Sequence, residues 1–388
     1  MLTTSQPSQR EEAPINAKRE LYAVCVALSV LGLAFSSWAS RVPDIRDAAL
    51  LTGATLGYAL LMRGGGTVTM MPIVAICINY FGAKKTLLVT GLVVAISLLP
   101  LSLVNNWLSL GLTLIIVGAS SSSYNIAVNA LGSKVEQETG KSHMSKIHSW
   151  FGIGNLIGAL IGTIMVRFGI STTIHFGIMT VVILILIASI YRFLPSDTPQ
   201  PGAERQKFVW PHGGLIAIGI ICFLAATVES SINNWIGLFF TDHVNVPNGY
   251  GAIGYTVFAG SLLGMRIIGD RLKTRYGARN LIITGSISAA IGILIAVFAP
   301  NMLVAAIGAF IAGAGVALNF PMVFSAAGKE GAIALTSVAT FGSVAGMISQ
   351  PIMGMIVEKV ELFGGFLFIA LCMLSIAFLA SKARLLRS

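Results

Sequence analysis

Charge is scarce in this chain. Only 10% of its 388 residues are charged, against roughly 25% in a soluble globular protein. Cysteine is scarce too. Cys25, Cys77, Cys222 and Cys372 lie within or at the ends of apolar runs, with no two at metal-ligand spacing. They read as small core hydrophobes and argue against a disulfide framework. His143 and His148 are five residues apart, off a common helical face, so no metal site is expected. No phosphate-cradling loop and no nucleophile–base constellation can be assembled. ATP-driven pumping, catalysis and a resident cofactor are therefore not expected.

Apolar residues are abundant: 55% of the chain is hydrophobic, and the mean hydropathy is +0.84. A bilayer-spanning helix needs about 20 mostly apolar residues. Twelve runs qualify: 21–39, 55–79, 85–104, 108–131, 148–168, 172–194, 213–240, 251–270, 279–299, 302–326, 334–357 and 362–382. The expected fold is all-α, with twelve transmembrane helices. Residues 1–20 read as a disordered cytoplasmic tail and 195–208 as a cytoplasmic linker. The two bundles then run over 21–194 and 209–388.

The net charge of +10 belongs to this topology and not to nucleic-acid binding. With the N-terminus inside, 19 of the 25 Lys and Arg residues fall in inner segments. The other six are Arg41, Arg46, Arg63, Arg167, Arg266 and Lys359, of which Arg63 and Arg266 lie inside spans. The positive-inside rule fits, with both termini cytoplasmic.

The halves repeat. YFGAKKTLLVTG at Tyr80 aligns with RYGARNLIITG at Arg275, and VGASSSSYN (117–125) with AGAGVALNF (312–320), both at an offset of 195. Parallel six-helix repeats are the architecture of major facilitator transporters. The basic loops resemble that superfamily's signature through Gly82, Lys84 and Lys85, and again through Asp270, Arg271, Arg275, Gly277 and Arg279. The resemblance implies a cytoplasmic gate or latch at these residues. WASRVPDIRDA (38–48), NIAVNALGSKVEQETGKSHMSKIHSWFGIG (125–154), VESSINNW (228–235) and FPMVFSAAG (320–328) are similar to the YbjJ/MosC-like bacterial group. Asn125 and Asn234 stand where that group often has aspartate, and Arg63 where an apolar residue is usual.

Glu229 is an acid within the seventh span, and such residues face a cavity or a partner. It reads either as a proton or substrate site or as a structural acid between helices. Asn233 shares its helical face. Arg63 is the candidate counter-charge. It would bind an anionic or hydroxyl-rich cargo, or form a fixed ion pair, or snorkel to the surface. Ser121, Ser122, Asn125 and Asn129 form a polar stripe on the fourth span, either a cargo wall that includes Tyr124 or interhelical glue. Trp38, Arg41, Asn234, Trp235, Asn319 and Gln350 complete the candidate cavity set. Gln350-Pro351 reads as a bend, and Gly158 and Gly162 as a close-packing face.

The resemblance implies a monomeric secondary transporter in the bacterial inner membrane. It would move a small polar, sugar-like or anionic solute by alternating access, with the proton as coupling ion. An exporter of drugs or metabolites is the alternative, and a non-transporting membrane sensor or assembly partner is another.

Overall fold

The computed structural model describes residues 9–141, 143–196, 213–247 and 249–386. Among the described residues, ten helices are long and apolar enough to cross a membrane. The last, Ala334–Lys382, leaves helical geometry at Val360 and Glu361 and therefore counts as two. Ile253–Tyr276, with a shorter apolar stretch at Ile253–Gly269, completes the expected twelve.

In chain order the spans are α1 (Gln9–Ala39), α2 (Gly53–Phe81), α3 (Ala83–Leu101), α4 (Trp107–Thr139), α5 (Met144–Arg167) and α6 (Thr172–Tyr191). The second set is α7 (Gly214–Leu238), α8 (Ile253–Tyr276), α9 (Ala278–Val297), α10 (Met302–Lys329), α11 (332–359) and α12 (362–382). Helix α1 extends back to Gln9, through part of the stretch that the sequence reading leaves as a disordered tail. Most of the expected linker lies outside the described residues.

Local signals set the helix starts. Thr52 and Asn106 form capping boxes with Thr55 and Ser109, and Asn301 accepts from the Val304 N–H. Gly82 and Gly277 explain the repeated loop. They have φ of 84° and 76°, each closing one helix and opening the next within a single residue. Such a turn strains any residue with a Cβ. Gly82→Ala and Gly277→Ala should each cost about 1–3 kcal/mol. A lowered melting temperature in detergent for each variant checks this.

Helices α1–α6 pack mainly with one another, as do α7–α12. Glycines bring the backbones close. A Cβ on Gly154, Gly158 or Gly162 would lie 2.1 Å from an oxygen of Ser29 or Ser36 on α1 or of Ser40 just beyond it. This confirms the close-packing face on α5.

The halves meet mostly through α2 with α11 and α5 with α8. They are joined at the end that carries the 40–52 and 241–252 connections. There, Gly53 and Gly57 abut Gly354, where a Cβ would come within 2.5 Å of the Gly53 carbonyl. The Ala54 N–H donates to the Glu358 carboxylate at 3.2 Å, a favourable charge at a helix N-terminus. Arg46 forms a two-point ion pair with Asp242, with Nη2 to Oδ1 at 3.1 Å. Partial burial disfavours the Arg46 charge, but Asp242 and Asp47 more than compensate and raise its pKa above the usual arginine value.

Toward the opposite, basic end the halves stand apart. Ile73, Ile76 and Tyr80 on α2 are exposed, and nothing lies within 4 Å of a Cβ built on Gly346. The molecule is closed at one end and open at the basic end. A wedge at the closed end should reverse this. Gly354→Leu should hold α2 and α11 apart, so that a cysteine placed at Ala54 becomes alkylated by an impermeant reagent. Unchanged labelling would count against this contact as the closure.

Candidate functional site

Between the halves lies one cavity with two lobes, of about 430 and 340 Å3. Phe35, Arg63, Thr67, Glu229 and Asn233 line both lobes. The first lobe adds Ser121, Ser122, Asn125, Asn155 and Arg266, and the second adds Ser230, Asn234 and Gln350.

Glu229 does not answer to Arg63. Its partner is Arg266 on α8, whose Nη2 donates to both carboxylate oxygens at 3.2 Å. The reason lies in α10. Pro321 has no N–H, so the Ala317 carbonyl loses the donor a continuous helix would supply. The helix breaks between Val316 and Asn319. Arg266 Nε donates to that carbonyl at 3.2 Å. One guanidinium thus satisfies a broken helix and faces the only carboxylate among the described lining residues.

Arg63 is placed differently. Among the described residues it has no carboxylate partner. Its guanidinium lies 5.0 Å from the Phe35 ring centroid, a cation–π contact. The following glycines seat this turn. A Cβ on Gly66 would meet the Ile115 carbonyl at 2.2 Å, and one on Gly118 the Arg63 carbonyl at 2.0 Å. Thr67 Oγ1 is within hydrogen-bond distance of both the Arg63 and Gly118 carbonyls. Helix α4 is therefore drawn tightly against α2, and the arginine side chain is left facing the cavity. The lining holds two guanidiniums against one carboxylate, one positive charge in excess.

Amides and hydroxyls supply the rest. Asn155, which sequence reasoning missed, accepts from the Tyr255 hydroxyl at 2.7 Å, linking α5 to α8. Its signal was faint: one polar side chain among the packing glycines of α5. Ser121, Ser122 and Asn125 line the cavity as expected. Asn129 sits a turn further on, donating to Asn125 Oδ1.

The closed end forms the floor. Trp38 Nε1 donates to Asn234 Oδ1 at 3.3 Å, joining α1 to α7. Trp235 Nε1 donates to Gln350 Oε1 at 3.2 Å, and Gln350 Nε2 donates to Ser230 Oγ at 2.9 Å. Both indoles are buried. They close the cavity and are not ordinary interfacial tryptophans.

Several candidates lie elsewhere. Arg41 is 4% exposed and donates to His175 Nδ1, the Ile170 carbonyl and Asp44. It ties the connection after α1 to α6 and its preceding loop instead of lining the cavity, because its three donor groups are already matched by local acceptors. The buried Tyr124 points away from the cavity. Its hydroxyl donates to the Ala27 carbonyl at 3.0 Å, and its ring packs where Gly91 has no Cβ. Asn319 is buried at the break in α10, with neither side-chain polar atom partnered among the described residues.

The described contacts of the basic-loop residues lie within their own halves. Lys84 Nζ donates to the Leu194 carbonyl at 2.8 Å, and the equivalent Arg279, 195 residues on, donates to the Ser381 carbonyl. Each binds the end of its half's last helix, where cations are favoured. Arg275 lies over the Tyr276 ring. Lys85 and Arg271 stand at the open end, where no ion pair joins the halves among the described residues. The Asp270 side chain lies outside the described ones.

Two helical bundles thus enclose one cavity, closed at one end and carrying charged, amide and hydroxyl groups on a largely apolar wall. The chain belongs to the Major Facilitator Superfamily, whose family model matches residues 21–332. It is similar to an uncharacterised MFS-type transporter of Yersinia pestis, with 30% identity over 91% of this chain and 92% of the relative. It is also similar to the membrane protein MosC of Rhizobium meliloti, with 26% identity over 94% of each. The fold matches a crystal structure of a point mutant of the nucleoside transporter NupG, with a TM-score of 0.76, 16% identity, and 94% and 99% of the two chains covered. A D-xylose–proton symporter gives a TM-score of 0.77 at 13% identity, covering 94% and 97%. The protein is a multi-pass membrane protein and a secondary transporter.

Proposed function

We propose that the protein is a proton-coupled transporter of a small, hydroxyl-bearing anion in the bacterial inner membrane, working as a monomer. The observation that carries this reading is Arg63, a guanidinium on the cavity wall with no carboxylate partner among the described residues. A guanidinium stays charged, and its planar fork suits a carboxylate or phosphate. Asn125, Asn155, Asn233, Ser121 and Ser122 offer donors and acceptors for hydroxyls along the same wall. The cavity is complete within one chain, which supports a monomer.

Glu229 is the coupling site in this reading. While ionised it occupies Arg266. An anionic cargo competes for the same guanidinium, and the displaced carboxylate is the group that carries the proton in this reading. Cargo and proton then bind together and move down the proton gradient. The positive-inside count puts the basic end and both termini in the cytoplasm. The state described is accordingly inward-open, with Arg46–Asp242 and the glycine contact closing the outer side.

The experiment is a thermal-shift screen of purified protein against paired solutes, each acid with its neutral analogue. Sugar acids and hydroxy acids should stabilise the protein more than the matching sugars and amides. Equal stabilisation by neutral analogues would remove the anion from this reading.

A further inference from the structure

A second groove, of about 690 Å3, lies between α1 and α6 at the basic end and shares no lining residue with the central cavity. Its rim carries Lys18 and Arg19 from α1 and Arg192, which caps the end of α6, all exposed. Among the described residues none of the three has a carboxylate partner. Its floor is apolar, with Phe193 at the level of the helix ends and Tyr22 and Val26 running along α1 toward the middle of the span. Tyr22 is 51% exposed although it lies on a largely buried helix. Lys146 from α5 lies over the Tyr22 ring at 4.4 Å, and Arg192 over the Phe193 ring at 4.5 Å. Cations thus gather around an aromatic floor.

Single cations at helix ends are expected of any membrane protein. This groove goes further, because cations from two helices converge on one concavity whose lower walls are apolar. An occupant must bring an anionic head to the level of the helix ends and an apolar chain below it. A free phosphate would satisfy the rim and leave the floor bare. A neutral lipid would cover the floor and leave three positive charges facing one another. Basic pockets between membrane helices take anionic headgroups for this reason.

We propose that this groove binds one anionic glycerophospholipid, with its phosphate at Lys18, Arg19 and Arg192 and an acyl chain along Tyr22, Val26 and Phe193. The lipid bridges α1 and α6 at the end where the two halves stand apart. The argument is independent of which leaflet faces the cytoplasm and of which solute is carried.

The test uses the full chain purified in neutral detergent, with native mass spectrometry and thermal unfolding read side by side. The probes are phosphatidylglycerol, phosphatidylcholine and soluble glycerol 3-phosphate. Phosphatidylglycerol should remain bound and raise the melting temperature, and the other two should do neither. The triple variant Lys18→Gln, Arg19→Gln, Arg192→Gln should lose roughly 100-fold in phosphatidylglycerol affinity. The control Lys382→Gln, Arg384→Gln, at the same end but outside the groove, should lose none. Equal retention of phosphatidylcholine, equal protection by glycerol 3-phosphate, or undiminished binding by the triple variant would each overturn the proposal. If the triple variant fails to fold, a salt series on the native chain decides. Phosphatidylglycerol should dissociate by about 0.5 M salt, where charges are screened within a few ångströms. Retention at that salt would overturn the proposal equally.

Discussion

Glu229→Gln transporters reconstituted in liposomes should exchange cargo across the membrane at close to the native rate, yet show no accumulation when a pH gradient is imposed. The amide keeps the shape and a hydrogen-bond acceptor for Arg266 but cannot exchange a proton. Without the negative charge, Arg266 stands ready for an anionic cargo at any pH, so binding should tighten while drive disappears. This separation of exchange from drive is what a coupling group gives and a purely structural acid does not. Loss of both activities together, with a lowered melting temperature, would show Glu229 to be a brace between α7 and α8. The pair is partly exposed, with 18% of Glu229 and 29% of Arg266 accessible, so its contribution to stability is expected to be modest.

Arg63→Ala should act on the other half of the cargo problem. A hydrogen bond to a charged group contributes about 1.5–3 kcal/mol, so losing it should weaken an anionic cargo by about tenfold to a hundredfold. The neutral analogue should change by less than about threefold, because the amide and hydroxyl wall is untouched. Arg63→Lys should recover only part of the loss, since an ammonium keeps the charge but not the planar fork. Parallel losses for acid and neutral analogue would mean that the guanidinium supports the wall through Phe35, and the cargo would no longer need to be an anion.

The sequence carries the membrane plan in full view because bilayer thickness imposes a length on every span and the loops reveal their side by charge. Even the break near residue 360 is legible, as the charged Glu358-Lys359 and Glu361 interrupt an apolar run. The repeat is legible for a physical reason as well. Gly82 and Gly277 serve one positive-φ turn, and Lys84 and Arg279 serve one helix-end contact, so each pair is held in register. Which charges meet inside the cavity is a different kind of information. Arg63 and Arg266 are both intramembrane arginines in the sequence, and depth alone favours neither as partner for Glu229. The choice follows from the rotation of α8 and from the missing N–H of Pro321, which anchors Arg266 on α10. The proline four residues beyond Ala317 was the available signal. Arg41 and Tyr124 read as cavity residues in the sequence because helical periodicity cannot report that α6 and α1 bring His175 and the Ala27 carbonyl to meet them.

The account stands most directly on the exchange of Arg266 from Glu229 to an anionic cargo. Mixing purified protein with its cargo in weakly buffered solution and recording the proton uptake measures that exchange. Binding equilibria are reciprocal, so a cargo that displaces the carboxylate must raise its hold on a proton. The native protein should take up close to one proton per bound anion. The Glu229→Gln variant should bind the same cargo with no uptake. Binding without proton uptake by the native protein would contradict the account.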